Sequence, residues 1–325
     1  MAKSPPTEEA LAAIHAIRQS PEKHDPKRDL APFLRHKSNH VVAAAAATVE
    51  RLEASALAPD LVEAFERLMG NPAKLDAGCK ALIAIAQALV QMDDAAARVY
   101  FAGIRHVQME GSFGPPVDVA APLRGLCARG LARMGHPGAL LECVTLLADR
   151  EVPARAGAIR AIADAGRPEG VLLLRLKALV GDKEVEVTGE CFGALLSLDP
   201  AGSVDFVARF LNSGADGIGE QAALAPGESR LPAAFNVLRE AWERGGAAEQ
   251  RRTLLVAIAM LRSETALQFL LDRLGAESGP VAADALAGLV FYSRDEAVLA
   301  RVEGVIRQRG EPALDAVFAR EFRRV

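Results

Sequence analysis

The sequence predicts an all-α fold: an α–α superhelix of about nine stacked helix pairs, running as one continuous solenoid over residues 1–325. Three observations predict it. DREVPARAGAI at 149–159 recurs 33 residues on as DKEVEVTGECF at 182–192, and Ile218 falls 33 residues after Val185. Pro137, Pro168, Pro200 and Pro232 keep a register of 31 to 32 residues, and Glu264 and Glu296 hold the next two slots. Alanine is abundant while aromatics are only 5%, which favours close-packed helices over sheets of β-branched and aromatic residues. One such pair cannot bury both faces of its helices, so copies must stack.

The elements follow in chain order. Thr7–Ser20 and Pro26–Arg35 form an atypical N-terminal pair. Val41–Glu53 is an A-type helix, and Pro59 opens its B-type partner, Leu61–Met69. Leu75–Met92 and Ala95–Arg105 make the next pair, which closes a divergent stretch at 1–106. A long connection, VQMEGSFGPPV at 107–117, then interrupts the array. Regular repeats of 31–33 residues occupy 118–309. In each, the A helix carries small and apolar residues at helical spacing, as in Ala158, Ile159, Ile162 and Ala163. Gly135 and Gly166 mark turns, and the proline sits at the start of the B helix, where its missing N–H costs nothing. The B helices are Ala139–Ala148, Val171–Val180, Val204–Leu211, Ala233–Glu243, Leu267–Leu274 and Val298–Ile306. Ala313–Phe322, within 310–325, caps the stack. Glycines 125, 130, 157, 189 and 193 lie inside A helices and point to close helix–helix approach. Pro226 should kink or break its A helix.

Two tracts carry a family resemblance: LADREVPARAGAIRAIADAGRPEGVLLLRLKALVG at 147–181 and GIGEQAALAPGESRLPAAFNVLREAW at 217–242. Both resemble the short HEAT-like repeats of the phycobilisome-lyase type. The resemblance covers residues 117 to about 310 well and the first third weakly. It implies a HEAT-like α-solenoid. It is unspecific for activity, because that superfamily holds adaptors, enzyme subunits and chaperone-like lyases.

Thirty-eight bases against 42 acids give a net charge of −4, which argues against a phosphate-binding surface. The polar N-terminal segment lacks the apolar core of a signal peptide, and no apolar run approaches the ~20 residues that span a bilayer. Cys79, Cys127, Cys143 and Cys191 are scattered without a CxxC and read as reduced core residues of a cytoplasmic protein. His15, His24, His36 and His40 cluster near the N-terminus without a fixed acidic or thiol ligand, so no metal and no cofactor is expected. Trp242 occupies a core register of the B helices.

Departures from the repeat select the candidate site. The 107–117 connection contributes Glu110 and an exposed-looking Phe113, on a long loop of the kind that carries function on rigid scaffolds. Glu190 stands where sister positions carry Gly157, Ala223 and Val256, so it needs a partner, and Arg175 and Lys177 are the candidates. An ion pair between neighbouring repeats is the plainer reading of Glu190; a functional carboxylate is the other. Residues 182–228 hold nine acids and two bases, whereas 117–181 hold nine bases and six acids. Such adjacent patches can orient a partner. Arg124 belongs to the basic strip, which Glu142 and Glu169 interrupt.

No P-loop, Rossmann fingerprint, GxSxG or HExxH is present, and no histidine follows His136. The reading is a monomeric, non-enzymatic scaffold that binds a protein or peptide on its concave, inner B-helix surface and the 107–117 loop, at Glu110, Phe113, Arg124, Arg175, Lys177 and Glu190. A chaperone-like lyase or isomerase is the alternative that the resemblance implies. A HEAT-like DNA glycosylase, or another nucleic-acid binder, comes third.

Overall fold

The computed structural model describes residues 5–111, 114–214 and 217–322. The chain divides into two compact units, Met1–Gly170 and Val171–Val325. Both are all-α, built from stacked helix pairs of one solenoid type.

Unit 1 holds α1 (Thr7–Gln19), α2 (Pro26–Leu34), α3 (Asn39–Arg51), α4 (Ala58–Met69), α5 (Pro72–Leu75), α6 (Lys80–Gln91), α7 (Ala97–Gly103), α8 (Ala121–Arg133), α9 (Ala139–Leu147) and α10 (Val152–Ala165). The A helices α1, α3, α6, α8 and α10 form one row, each packed on the next. The B helices α2 and α4 pack together, as do α4 and α7, while α9 lies against α8 and α10. The row is tightest where α8 meets α10. A Cβ on Gly157 would collide with the Gly125 backbone, and one on Gly130 with the Tyr100 ring, so these positions admit no side chain.

Helix α11 (Glu169–Val180) leads into unit 2, which continues with α12 (Val185–Leu198), α13 (Pro200–Ala208), α14 (Ile218–Ser229), α15 (Pro232–Glu243), α16 (Ala248–Met260), α17 (Glu264–Ala276), α18 (Gly279–Leu289), α19 (Glu296–Arg309) and α20 (Pro312–Phe322). The A row α12, α14, α16, α18 ends on α20, which buries Leu314 and Phe318. Aromatic contacts knit the B row. Trp242 of α15 is buried, with its ring edge-on to Phe269 of α17 at 5.5 Å. Prolines open α13 and α15 as their register predicts. Gly135 and Gly166 end α8 and α10 in the left-handed conformation, with φ of 68° and 63°.

Four details differ from the sequence expectation. Leu75–Met92 is not one helix: Gly78 and Cys79 take left-handed backbone between α5 and α6, and the Asp76 carboxylate accepts the Ala81 and Leu82 N–H groups instead. The connection after α7 is not irregular throughout, because β1 (Met109–Glu110) pairs antiparallel with β2 (Val117–Asp118). Pro226 does not break α14, which runs on to Ser229, whose hydroxyl donates to the Pro226 carbonyl. Gly193 faces no neighbour within 4 Å, so close approach does not explain it.

The α8–α10 crossing is testable. Gly157→Ala should lower the unfolding free energy by about 1–3 kcal/mol, read by urea titration, because backbone on the far side must move to admit the methyl. Gly193→Ala, in open space on α12, should be neutral or slightly stabilising.

Candidate functional site

The site in unit 1 grows from a turn that the repeat reuses. Asp118, Asp149 and Asp182 precede their A helices, and each carboxylate accepts the N–H two residues on, at 2.9–3.0 Å. That contact satisfies a donor at the helix start and favours negative charge there. Six residues further on stand Arg124, Arg155 and Thr188. Arg124 is only 4% exposed. Its Nη1 donates to Asp118 at 2.7 Å and to the His106 carbonyl at 2.9 Å. Its Nε and Nη2 fork onto Asp149 at 2.9 and 3.0 Å. Burial alone would drive the Asp118 carboxyl up and the Arg124 guanidinium down. The Gln108 N–H, the Arg124 guanidinium and the Ala120 N–H outweigh it for Asp118 and hold that carboxyl below its usual range. The two carboxylates likewise leave the guanidinium more basic than usual.

The β-hairpin is tied into the same network. Gln108 is buried; its Nε2 donates to the Asp76 carbonyl at 2.9 Å and to Glu110 at 2.6 Å. Both Glu110 oxygens accept the Gly78 N–H at 2.9 Å. Asn39 Nδ2 donates to the fully buried Asp76 at 2.9 Å. Glu110 is therefore anchored half-buried, as an internal tether of the hairpin.

Above Arg124 opens a cleft of ≈ 590 Å³. Arg124 and Asp149 lie on its floor, Val107 and Leu141 on its rim, and Arg105 closes one side by donating to Glu142 at 2.5 Å. An apolar rim over a few convergent polar groups is the usual construction of a binding cleft. Phe113 lies outside the described residues.

The B helices carry the second feature. On α9, Leu141 is 75% exposed and Val144 is exposed too. On α11, Leu172, Leu176, Leu179 and Val180 are 70, 61, 58 and 76% exposed. Sister helices present polar residues outward: Asp205 and Arg209 flank the end of α13, Asn236 and Glu240 lie on α15, Gln268 and Asp272 on α17, and Glu63 and Glu66 on α4. The repeat thus supplies its own control. These leucines were missed as site residues in the sequence, although α11 is apolar almost all round, a pattern that belongs to a buried helix.

The remaining predicted residues lie in unit 2. Arg175 Nη2 donates to the Gly202 carbonyl at 2.6 Å, and its guanidinium lies over the Phe206 ring at 5.0 Å. Lys177 pairs with the buried Asp182 at 2.7 Å. Glu190 is half-buried on α12. Burial pushes the Cys79, Cys143 and Cys191 thiols up to about 12, and Cys127 in the same direction. No group of three or more His, Cys, Asp or Glu that could hold a metal ion occurs among the described residues. His36 is already engaged: its Nδ1 accepts the Ser38 N–H and its Nε2 faces the Pro5 carbonyl, both at 3.0 Å. No helix among the described residues is long and apolar enough to cross a membrane.

No family model and no curated protein matches the sequence. Among solved structures, the chain is similar to human deoxyhypusine hydroxylase in complex with glycerol. Identity is 19% and the TM-score 0.29, over 84% of this chain and 99% of that one. At that distance the likeness bears on no residue of the site.

Arg124→Ala strands Asp118 and Asp149 below the cleft and should cost about 3–5 kcal/mol of stability in chemical denaturation. The Asp118 carboxyl is more acidic folded than unfolded. Its stabilisation is therefore present above the unfolded value of ~4 and is lost as pH falls through the lower folded value. Denaturation midpoints should drop on acidification below about pH 4, and Asp118→Asn should flatten that drop.

Proposed function

We propose that the chain is a protein-interaction scaffold that binds a protein or peptide partner on the exposed face of its B helices. One observation carries this reading: leucine and valine point outward on α9 and α11, where sister helices present charged and amide side chains. Contiguous exposed apolar residues rimmed by polar ones mark interaction surfaces. Repeat arrays present such surfaces as rows of side chains rather than as one deep pocket. The buried, protonated thiols support a role without thiol chemistry, since none supplies a thiolate at neutral pH. Arg124, Asp118 and Glu110 then shape the scaffold, holding the hairpin and the cleft floor.

The test is affinity capture from the native host, with the full chain as bait beside Leu141→Glu and Leu172→Glu/Leu176→Glu variants. Each change falls on an exposed side chain, so thermal stability should shift by less than about 0.5 kcal/mol. A recurrent partner that one variant loses supports the scaffold reading. A partner held equally by wild type and both variants overturns the placement on the B-helix face.

A further inference from the structure

The α11 stripe has the spacing of a helix-docking seam. Leu172, Leu176 and Leu179 are four and three residues apart, so they lie on one line of the helix, with Val180 beside them. Side chains spaced this way form a ridge of the kind that packs into the groove of another helix. The four exposed side chains amount to roughly 400 Å² of apolar surface, close to the apolar share of the ~800 Å² per partner that a standard interface buries. Laid along one line of a single helix, that area matches one face of a short amphipathic helix.

Charge decides the character of that helix. On the flank towards α13, Arg175 and Arg209 are both held against the ring of Phe206, at 5.0 and 5.8 Å. Arg175 is fixed further by its bond to the Gly202 carbonyl and by an ion pair to Asp199 at 3.8 Å, and 36% of its side chain stays exposed. Arg209 has no carboxylate within ion-pair distance among the described residues, although the exposed Asp205 shares its neighbourhood on the chain. Two guanidiniums are oriented by one ring, and that of Arg209, exposed and without an ion pair among the described residues, is placed to meet an incoming carboxylate. The opposite flank carries a third cation, Lys177, already satisfied by Asp182.

We propose that α11 docks one amphipathic α-helix of a partner protein. That helix places apolar residues at i, i+3 or i+4, and i+7 along Leu172, Leu176 and Leu179, and directs Asp or Glu towards Arg175 and Arg209. The proposal rests on the scaffold reading and specifies the partner at one of its two exposed faces.

The probe is a display library of randomised single-helix peptides, selected on the full-length chain. The enriched peptides should share the apolar spacing and carry acids along one flank. By fluorescence anisotropy, Leu176→Glu should weaken the best peptide by roughly tenfold to a hundredfold. Exchanging the peptide's flanking Glu for Lys should weaken it on wild type by at least about tenfold and remove its salt dependence. Because that exchange is made in the peptide, it reads the charge contact even where an arginine variant fails to fold. Peptides without acids, peptides indifferent to Leu176→Glu, or no enrichment at all would overturn the proposal. So would a dimer by light scattering that Leu176→Glu dissolves, which assigns the stripe to a second copy. Peptides lost with Leu141→Glu but retained by Leu176→Glu would overturn it while leaving the scaffold reading standing.

Discussion

A guanidinium as buried as that of Arg124 is tolerable only if its charge is neutralised and its N–H groups find acceptors, and unit 1 is arranged around meeting that demand. Asp118 and Asp149 supply the charge from two successive repeat turns, and the His106 carbonyl takes a further N–H. Each partner is itself fixed. Asp118 is held by the Gln108 and Ala120 N–H groups, and Asp149 by the Glu151 N–H. One cation thus couples the hairpin, the start of α8 and the start of α10. The tight Gly125–Gly157 crossing of α8 and α10 lies directly beside it in sequence, so close backbone approach and the ion pair set the same helix spacing.

The turn that opens α8, α10 and α12 explains why the pattern tolerates change in one place and not another. Asp118, Asp149 and Asp182 all accept a helix-start N–H, a local contact any copy can make. The cation that faces the aspartate differs from copy to copy. Arg155 stands in Arg124's register, but Thr188 takes that place in unit 2 and its hydroxyl is buried without a partner. There Asp182 is met by Lys177, which reaches it from the end of the preceding B helix.

The fold was legible because it is periodic. The 33-residue recurrence and the proline register place the B helices α9, α11, α13, α15, α17 and α19 within a few residues, since the chemistry of helix starts repeats with the packing. What the sequence hid depends on contacts between distant residues. The break between α5 and α6 needs Asp76, whose carbonyl is bonded by Gln108 and whose carboxylate is bonded by Asn39. The hairpin needs Glu110 anchored at Gly78, 32 residues away. Glu110 and Arg124 were singled out as surface residues; the structure places one half-buried and the other on the cleft floor. Lys177 pairs with Asp182, a partner that comparing the sister positions of Glu190 does not bring out. The exposed leucines were readable in principle, because a B helix written LLLRLKALV has more apolar surface than one core can cover.

The two cations of α11 connect these levels. Arg175 and Lys177 leave the helix on either side of the leucine line: one turns to Gly202 and the Phe206 ring, the other to Asp182. Each is drawn sideways and down, onto the neighbouring turns of its own unit. Long basic side chains commonly lie across apolar helix surface and cover it with their methylene stems. Here both stems are committed elsewhere, so nothing from α11 itself shields Leu172, Leu176 and Leu179. The ion pair by which Lys177 meets Asp182, where Arg124 meets Asp118 and Asp149, therefore contributes to the exposure of the stripe. The ion pairing within unit 2 and the exposure of an apolar face on α11 have one origin, in which direction two side chains on one helix are pulled.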